Sequence, residues 1–369
     1  MKINTLSLSD FRNYKEEAVE FGGGVNIIYG DNAQGKTNIL EAVHMFSMGK
    51  SNRTPRDSEL IRHGCDKAEI SMEYTAFDRD CELKIRLDKG KRKSILYNEI
   101  PLKKISELLG KFNAVYFGPE LLGLVKNGPG GRRKNLDMVI SQLRPNYFSA
   151  VSELRKIVDS KNALLKMQNP NKTMLEIMNK KLTDIATEVI AYRCEFTKRL
   201  EDTAKEIQYD ISGGREELTY RYMSSIGRIN TDEVPSKQEI RERFEARLSR
   251  NEKREQEYCE TLVSPHREDV CFDINGKDAR AFASQGQQKT VVLVEKLAEA
   301  RLIKNETGET PLLLLDDIMS ELDRKRQAFV LGNISGMQII ITCTDIDEMT
   351  EAITDDSVII HVDDGKVID

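Results

Sequence analysis

The stretch VNIIYGDNAQGKTNILEAVHMFSMG, Val25 to Gly49, narrows the folds open to this chain more than any other. An apolar run leads into G-x-x-x-x-G-K-T, and an amphipathic segment ending at Gly49 follows. That order predicts a buried strand, a phosphate-cradling loop and a helix, hence an α/β core. Glycines let the loop backbone come close to phosphate oxygens, and the helix N-terminus favours negative charge there. The expected contacts run through Gly30, Asp31, Asn32, Ala33, Gln34, Gly35, Lys36, Thr37 and Asn38. Lys36 is placed to bridge the β- and γ-phosphates of a nucleoside triphosphate, and Thr37 to ligate Mg²⁺.

Far along the chain, PLLLLDD supplies a matching half. Four consecutive leucines predict a central strand buried on both faces, with Asp316 at its C-terminal end joining the Mg²⁺ shell. Asp317 follows directly and is placed to polarise an attacking water. Adjacent carboxylates at a strand end are common in surface turns, so their weight comes from the loop with which they pair.

Between these halves the pattern changes to helix. Leu175, Met178, Leu182, Ile185, Val189, Tyr192 and Phe196 recur at alternating steps of three and four, a heptad seam. Val151, Leu154, Val158 and Leu165 follow the same rhythm, with Lys161 interrupting it. The Asn-Pro-Asn-Lys at Asn169 reads as the tight turn of an antiparallel hairpin, whose first arm of about 22 residues spans about 33 Å. A highly charged third helix is expected from Ser236 to Tyr258. A lobe packed for stability and an arm that binds a partner are both consistent with this pattern. The expected division is 1–146 and 261–369 for the two parts of an α/β lobe, with 147–260 inserted as a helical lobe.

One late motif completes the order. SQGQ at Ser284 opens a helix, and taken alone Ser284 makes a competent N-cap. The sequence of phosphate loop, helical insertion, Ser-x-Gly-Gln helix, Asp-Asp and Ser-Glu-Leu-Asp resembles the SMC-like branch of the ABC ATPases. LSDFRNY, GDNAQGKTNILEA, ELIRHG, GPELLGLVKNGPGGRRKNLD, SPHRED, FASQGQQK and LLLLDDIMSELD narrow the resemblance to the RecF family, over the whole chain.

That resemblance implies an ABC-type head with a short coiled-coil stub. It implies ATP and Mg²⁺ as cofactors, and a homodimer closed by ATP. Arg12 and Asn13 would lie against the nucleotide, while Ser284, Gly286 and Gln287 would face the γ-phosphate held by a second copy. Ser320 and Asp323 would belong to the loop crossing between the two sites. It further implies recombinational gap repair and replication restart on double-stranded DNA, gapped or junction duplex, and single-stranded DNA. RecR, RecO and the recombinase are the implied partners, and the implied localisation is cytoplasmic. In place of the glutamate usual after the magnesium aspartate stands Asp317, and Thr342 to Thr344 stand where a switch histidine is expected. Both departures point to slow hydrolysis that times release, and the resemblance implies a weak, DNA-dependent ATPase.

Composition restricts the alternatives. The 369 residues are 39% hydrophobic and 32% charged, with a net charge of −5. No apolar run approaches the roughly 20 residues of a membrane span, and the first residues lack the apolar core of a signal peptide. The six scattered cysteines form no C-x-x-C and are expected to be free thiols. The acidic balance leaves room for local basic stretches, and Lys126, Arg132, Arg133 and Lys134 are candidates for DNA phosphates or for a merely solvated loop. His266 in SPHRED lacks the partners of a catalytic base. A transporter ATPase subunit fits poorly with the acidic chain, the helical hairpin and the missing histidine, and a small-molecule kinase has no use for SQGQ.

Overall fold

The computed structural model describes residues 1–229, 233–333, 336–349, 353 and 356–368. Two compact units result: Met1–Leu122 with Lys296–Asp369, and Gly123–Glu295.

The first unit opens with β1 (Lys2–Phe11), β2 (Tyr14–Glu20) and β3 (Val25–Tyr29), then α1 (Lys36–Met48). Gly49 closes α1 in the left-handed conformation, its N–H donating to the carbonyl of Met45. Next come β4 (Lys67–Ala76), β5 (Arg79–Asp88), β6 (Ser94–Tyr97), β7 (Ile100–Leu102) and β8 (Ala114–Phe117). An antiparallel sheet has the order β2-β1-β4-β5-β6-β7. Its strands alternate buried and exposed residues, as befits a sheet with one solvated face.

The second unit begins with α2 (Pro129–Leu143), α3 (Pro145–Leu165) and α4 (Lys172–Ser212). It continues through β9 (Leu218–Ser224), β10 (Gly227–Ile229) and α5 (Lys237–Tyr258) to β11 (Asp269–Ile274), β12 (Lys277–Asp278) and α6 (Ala279–Phe282). Then α7 (Gln285–Thr307) carries the chain across the unit boundary. The first unit resumes with β13 (Leu312–Asp316), α8 (Arg324–Asn333), β14 (Ile339–Cys343), β15 (Val358–Asp363) and β16 (Lys366–Ile368). Of Glu321 to Ile334, which the sequence suggests as one helix, α8 takes Arg324–Asn333; Glu321 ends a 3-10 turn, Asp323 caps α8, and Ile334 lies outside the described residues.

A second sheet of the first unit, β16-β15-β3-β14-β13-β8, is parallel apart from β16. Strands β8, β13 and β14 are buried at every position, the signature of a covered parallel sheet. The phosphate loop leaves the C-terminal end of β3, and Asp316 ends β13, one strand removed across β14.

The second unit departs from its expected limits. It includes α2 and residues 261–295, because β11 pairs with β9 and closes a sheet of order β10-β9-β11-β12. The basic loop expected around Lys126 to Lys134 becomes α2 from Pro129 onward, since proline at the first helical position costs no hydrogen bond.

The helical hairpin is present, with Asn171 capping α4 through the N–H of Met174. However, α4 runs for 41 residues, continuing its apolar face through Leu200, Ala204, Ile207 and Ile211. Ile185 and Tyr192 of the seam are only half-buried, whereas Thr183, Ala186, Ile190 and Cys194 are buried. The buried stripe is wide because α4 packs on α3, α5 and β9, not on one partner helix. Lys161 has a reason for interrupting the rhythm: its Nζ donates to buried Glu255 of α5 at 2.6 Å.

Candidate nucleotide-binding site

Positive φ at Gly30, Ala33 and Gly35 curls the loop between β3 and α1. Such a curl turns backbone N–H groups inward as an anion-binding nest. Neither flanking glycine is replaceable. A Cβ on Gly30 would lie 2.1 Å from the Val362 carbonyl, and one on Gly35 would lie 2.7 Å from the Tyr14 hydroxyl. Asp31, Asn32 and Ala33 are exposed at the rim, while Lys36 is buried. The Lys36 ammonium points back into the loop, donating to the carbonyls of Gly30 at 2.6 Å and Asp31 at 2.8 Å.

The hairpin turn between β15 and β16 fixes this loop from one side. The N–H of Asp364 donates to Gln34 Oε1 at 2.6 Å, and the N–H of Gly365 donates to the Gln34 carbonyl at 3.0 Å. Asn13 fixes it from the other side, donating to the same carbonyl at 2.7 Å and accepting from Asn38 Nδ2 at 2.8 Å. Asn13 therefore supports the loop. Arg12 grips buried Glu41 through Nε at 2.9 Å and Nη2 at 2.7 Å, and donates to the carbonyl of Glu59. Its guanidinium ties the turn between β1 and β2 to α1, with no hydrogen bond to the loop itself among those described.

Asp316 is the hub of the site. Its Oδ1 accepts from Thr37 Oγ1 and from Thr342 Oγ1, each at 2.9 Å, and its Oδ2 accepts from Tyr116 at 2.8 Å. Thr342 in turn accepts from the N–H of Asp317 at 2.9 Å. These contacts arise from parallel register, which places Thr342 opposite Asp316 and Tyr116 opposite Leu314. Asp317 adopts a left-handed φ of 49°, and burial pushes its carboxyl above the ordinary aspartate value, with Lys36 opposing and Asp316 reinforcing the shift. Sequence reading missed Tyr116 as a ligand of this carboxylate and treated Thr342 only as a missing histidine. A usable signal existed in hydroxyl side chains near the C-terminal ends of apolar strands.

Among the described residues, no group of three or more His, Cys, Asp or Glu side chains could hold a metal ion. At this site Asp316 presents a carboxylate beside the Thr37 hydroxyl; a cation that keeps several waters needs few protein ligands.

Past Asp317, Ser320 donates to the Asp317 carbonyl at 3.0 Å, while Asp323 caps α8 by accepting from the N–H of Arg326. Both side chains are exposed. In the second unit, Ser284 and Gln287 form a capping box. Gln287 N–H donates to Ser284 Oγ at 3.2 Å, and Ser284 N–H donates to Gln287 Oε1 at 2.8 Å. Ser284 is exposed and Gly286 half-buried, and Gln287 also donates to Glu216 at 2.9 Å.

The four basic candidates separate. Arg132 is buried, bound to both oxygens of Asp269 at 2.7 and 2.8 Å and to the carbonyls of Leu124, Val125 and Asn127. Its Nε, Nη1 and Nη2 are all engaged within the protein, which makes it a structural residue. Arg133 is half-buried and donates to the Glu268 carbonyl, while Lys126 and Lys134 are exposed. His266 sits in a 3-10 turn, Pro265–Arg267, its basicity lowered by burial and then by Arg267 and Arg133.

Comparison with known proteins decides the family. A profile of the RecF/RecN/SMC N-terminal domain matches residues 2–368. The chain belongs to the RecF family. It is 41% identical to the DNA replication and repair protein RecF of Clostridium acetobutylicum, covering 100% of this chain and 99% of that protein. It is 38% identical to the protein of the same name from Acetivibrio thermocellus, covering 99% of each. A solved structure of the recombination mediator protein RecF with ATP, in the RecFOR pathway, superposes with a TM-score of 0.91 at 35% identity, covering 100% of this chain and 97% of that one. An Smc head bound to the C-terminal winged-helix domain of ScpA superposes at a TM-score of 0.56 with 19% identity, covering 100% of this chain and 97% of that one, and shares the fold. The fold of this RecF-family chain is thus the ABC-type ATPase head with an inserted helical lobe. Among the described residues, no helix is long and apolar enough to cross a membrane.

Proposed function

We propose that this RecF-family chain is an ATP-gated DNA-binding protein of recombinational gap repair and replication restart. Two copies join over ATP, grip gapped, junction or single-stranded DNA, and help load the recombinase together with RecR and RecO. Slow hydrolysis then releases them. The observation that carries the reading is the convergence of Thr37, Thr342 and Tyr116 on Asp316 beside a loop whose lysine sits in its own nest. The likeness to RecF with ATP over nearly the full length of both chains supports it.

The residues fit the group they would hold. Lys36 now satisfies the carbonyls of Gly30 and Asp31, and it trades them for β- and γ-phosphate oxygens. Thr37 and Asp316 would hold Mg²⁺, which when bound neutralises charge on the phosphates. Asp317 orients the attacking water, one methylene shorter than the usual glutamate, and this reach accounts for slow turnover. Ser284, Gly286 and Gln287 read the γ-phosphate of the second copy from the start of α7, where the helix dipole favours an anion.

Binding to gapped and to intact duplex, each with and without ATP and at two salt concentrations, tests the reading. ATP should strengthen binding to the gapped substrate more than to the intact one, and binding should fall steeply with salt. Equal, ATP-independent binding to both would refute it.

A further inference from the structure

Helix α5 carries its charges unevenly. Ile240, Phe244, Leu248 and Glu255 form its buried face. In its first half the cations have acidic partners: Lys237 holds Glu188 at 2.6 Å, Arg241 holds Asp184 and Arg243 holds Glu239. Beyond them the pairing stops. Arg247, Arg250 and Arg254 are exposed, and among the described residues no ion pair or side-chain hydrogen bond holds them.

These arginines share one line. Arg243, Arg247, Arg250 and Arg254 step by four, three and four, and Tyr258 follows after four more. At 3.6 residues per turn the five fall within an arc of about 80° and span about 22 Å of helix. Tyr258 ends the line 60% exposed. Glu242, Glu245 and Glu252 fall on the far side of the helix. Arg250 therefore has Arg247, Lys253 and Arg254 as neighbours one turn away, with Ala246 as the fourth. Like charges at this spacing repel and weaken a helix. In a chain of net charge −5 such a row is a local departure. A polyanion laid along it removes the repulsion and supplies the oxygens that no carboxylate of the chain provides.

We infer that this line on α5 binds a single strand of DNA, with the arginines on its phosphates and Tyr258 as a stacking platform for a base. The inference rests on the DNA-binding reading above and gives it a surface. Arginine presents a planar fork that matches phosphate oxygens. A charged line that tracks a backbone and ends in an exposed ring is the pairing used on single strands. The ring selects the strand over the duplex, because a base offers its face to a side chain only when it is out of the stack.

Fluorescence anisotropy of a labelled oligothymidylate and of an intact duplex tests this, using the full chain with ATPγS and Mg²⁺ over a range of salt. Wild type is compared with Tyr258→Ala and with a triple variant, Arg247→Gln, Arg250→Gln and Arg254→Gln. All four side chains are exposed and glutamine is a good helix former, so both variants should melt as wild type does. The triple variant should bind the single strand roughly tenfold more weakly or worse, with a salt slope lower by roughly two. Tyr258→Ala should weaken single-strand binding roughly tenfold and leave the slope unchanged. Duplex binding should stay at the wild-type level in both. Wild-type single-strand binding by the triple variant overturns the inference alone and points to an acidic protein as occupant. An equal loss on the intact duplex overturns the choice of a single strand. A wild-type chain that binds neither DNA removes the DNA-binding reading, and this surface with it.

Discussion

Tyr116 donates a 2.8 Å hydrogen bond to Oδ2 of Asp316, on the side of the carboxylate opposite the oxygen that accepts from Thr37 and Thr342. The tyrosine is itself buried, and burial together with the Asp316 charge drives its hydroxyl pKa far upward, keeping it a donor. Three hydroxyl groups thus orient the carboxylate. Tyr116→Phe should cost about 1–2 kcal/mol of stability. It should also raise the Mg²⁺ concentration for half-maximal ATP turnover by roughly tenfold, as loss of an outer partner does at other metal sites. Chemical denaturation and Mg²⁺ titration of turnover measure the two effects.

Asp317→Asn keeps the shape of the side chain and removes its charge. ATP should still bind and close the dimer, while hydrolysis falls by roughly a hundredfold or more. The expected outcome is a long-lived ATP complex on DNA, followed as dissociation after a chase. Release at the wild-type rate would show that hydrolysis does not time it.

Arg132 and its exposed neighbours should behave oppositely. Arg132→Ala strands Asp269 beside unsatisfied carbonyls and should destabilise the second unit by roughly 3 kcal/mol. Lys126→Ala and Lys134→Ala should leave stability within about 0.5 kcal/mol. If they meet phosphates, each reduces the salt slope of DNA binding by about one. Paired thermal melts and salt titrations of all three variants check this.

His266 supplies a pH dependence. Burial is the largest cause of its lowered pKa; Arg267 and Arg133 add to it, while Glu260 and Glu268 oppose. The folded chain therefore binds this proton less readily than the unfolded one. As pH falls through the ordinary histidine value of 6.5, the unfolded state takes up the proton first and stability declines. His266→Gln should flatten the fall in melting temperature between about pH 7.5 and about pH 5.5. An unchanged slope would assign the effect to other groups.

The first unit was largely legible in the sequence because its signals are local. A glycine loop between an apolar strand and a helix, and four leucines before Asp316, each specify their own surroundings. What escaped depends on neighbours distant in the chain. Thr342 and Tyr116 gain their meaning only from parallel register with β13. Arg132 looked like a surface cation because nothing near it announces Asp269, 137 residues away. The heptad seam gave the hairpin correctly but not the width of its buried face, since a third helix and a sheet also pack on α4. Ser284 was legible in both of its roles: as a cap, which the structure bears out, and as a phosphate reader, which remains a proposal.

That proposal is tested most directly by light scattering of wild type, Lys36→Ala and Ser284→Arg at one protein concentration, with and without ATP and Mg²⁺. Wild type should move from monomer to dimer on ATP. Lys36→Ala should fail for want of nucleotide, and Ser284→Arg should stay monomeric while binding ATP normally. A Ser284→Arg chain that dimerises and hydrolyses ATP as wild type does would contradict the account.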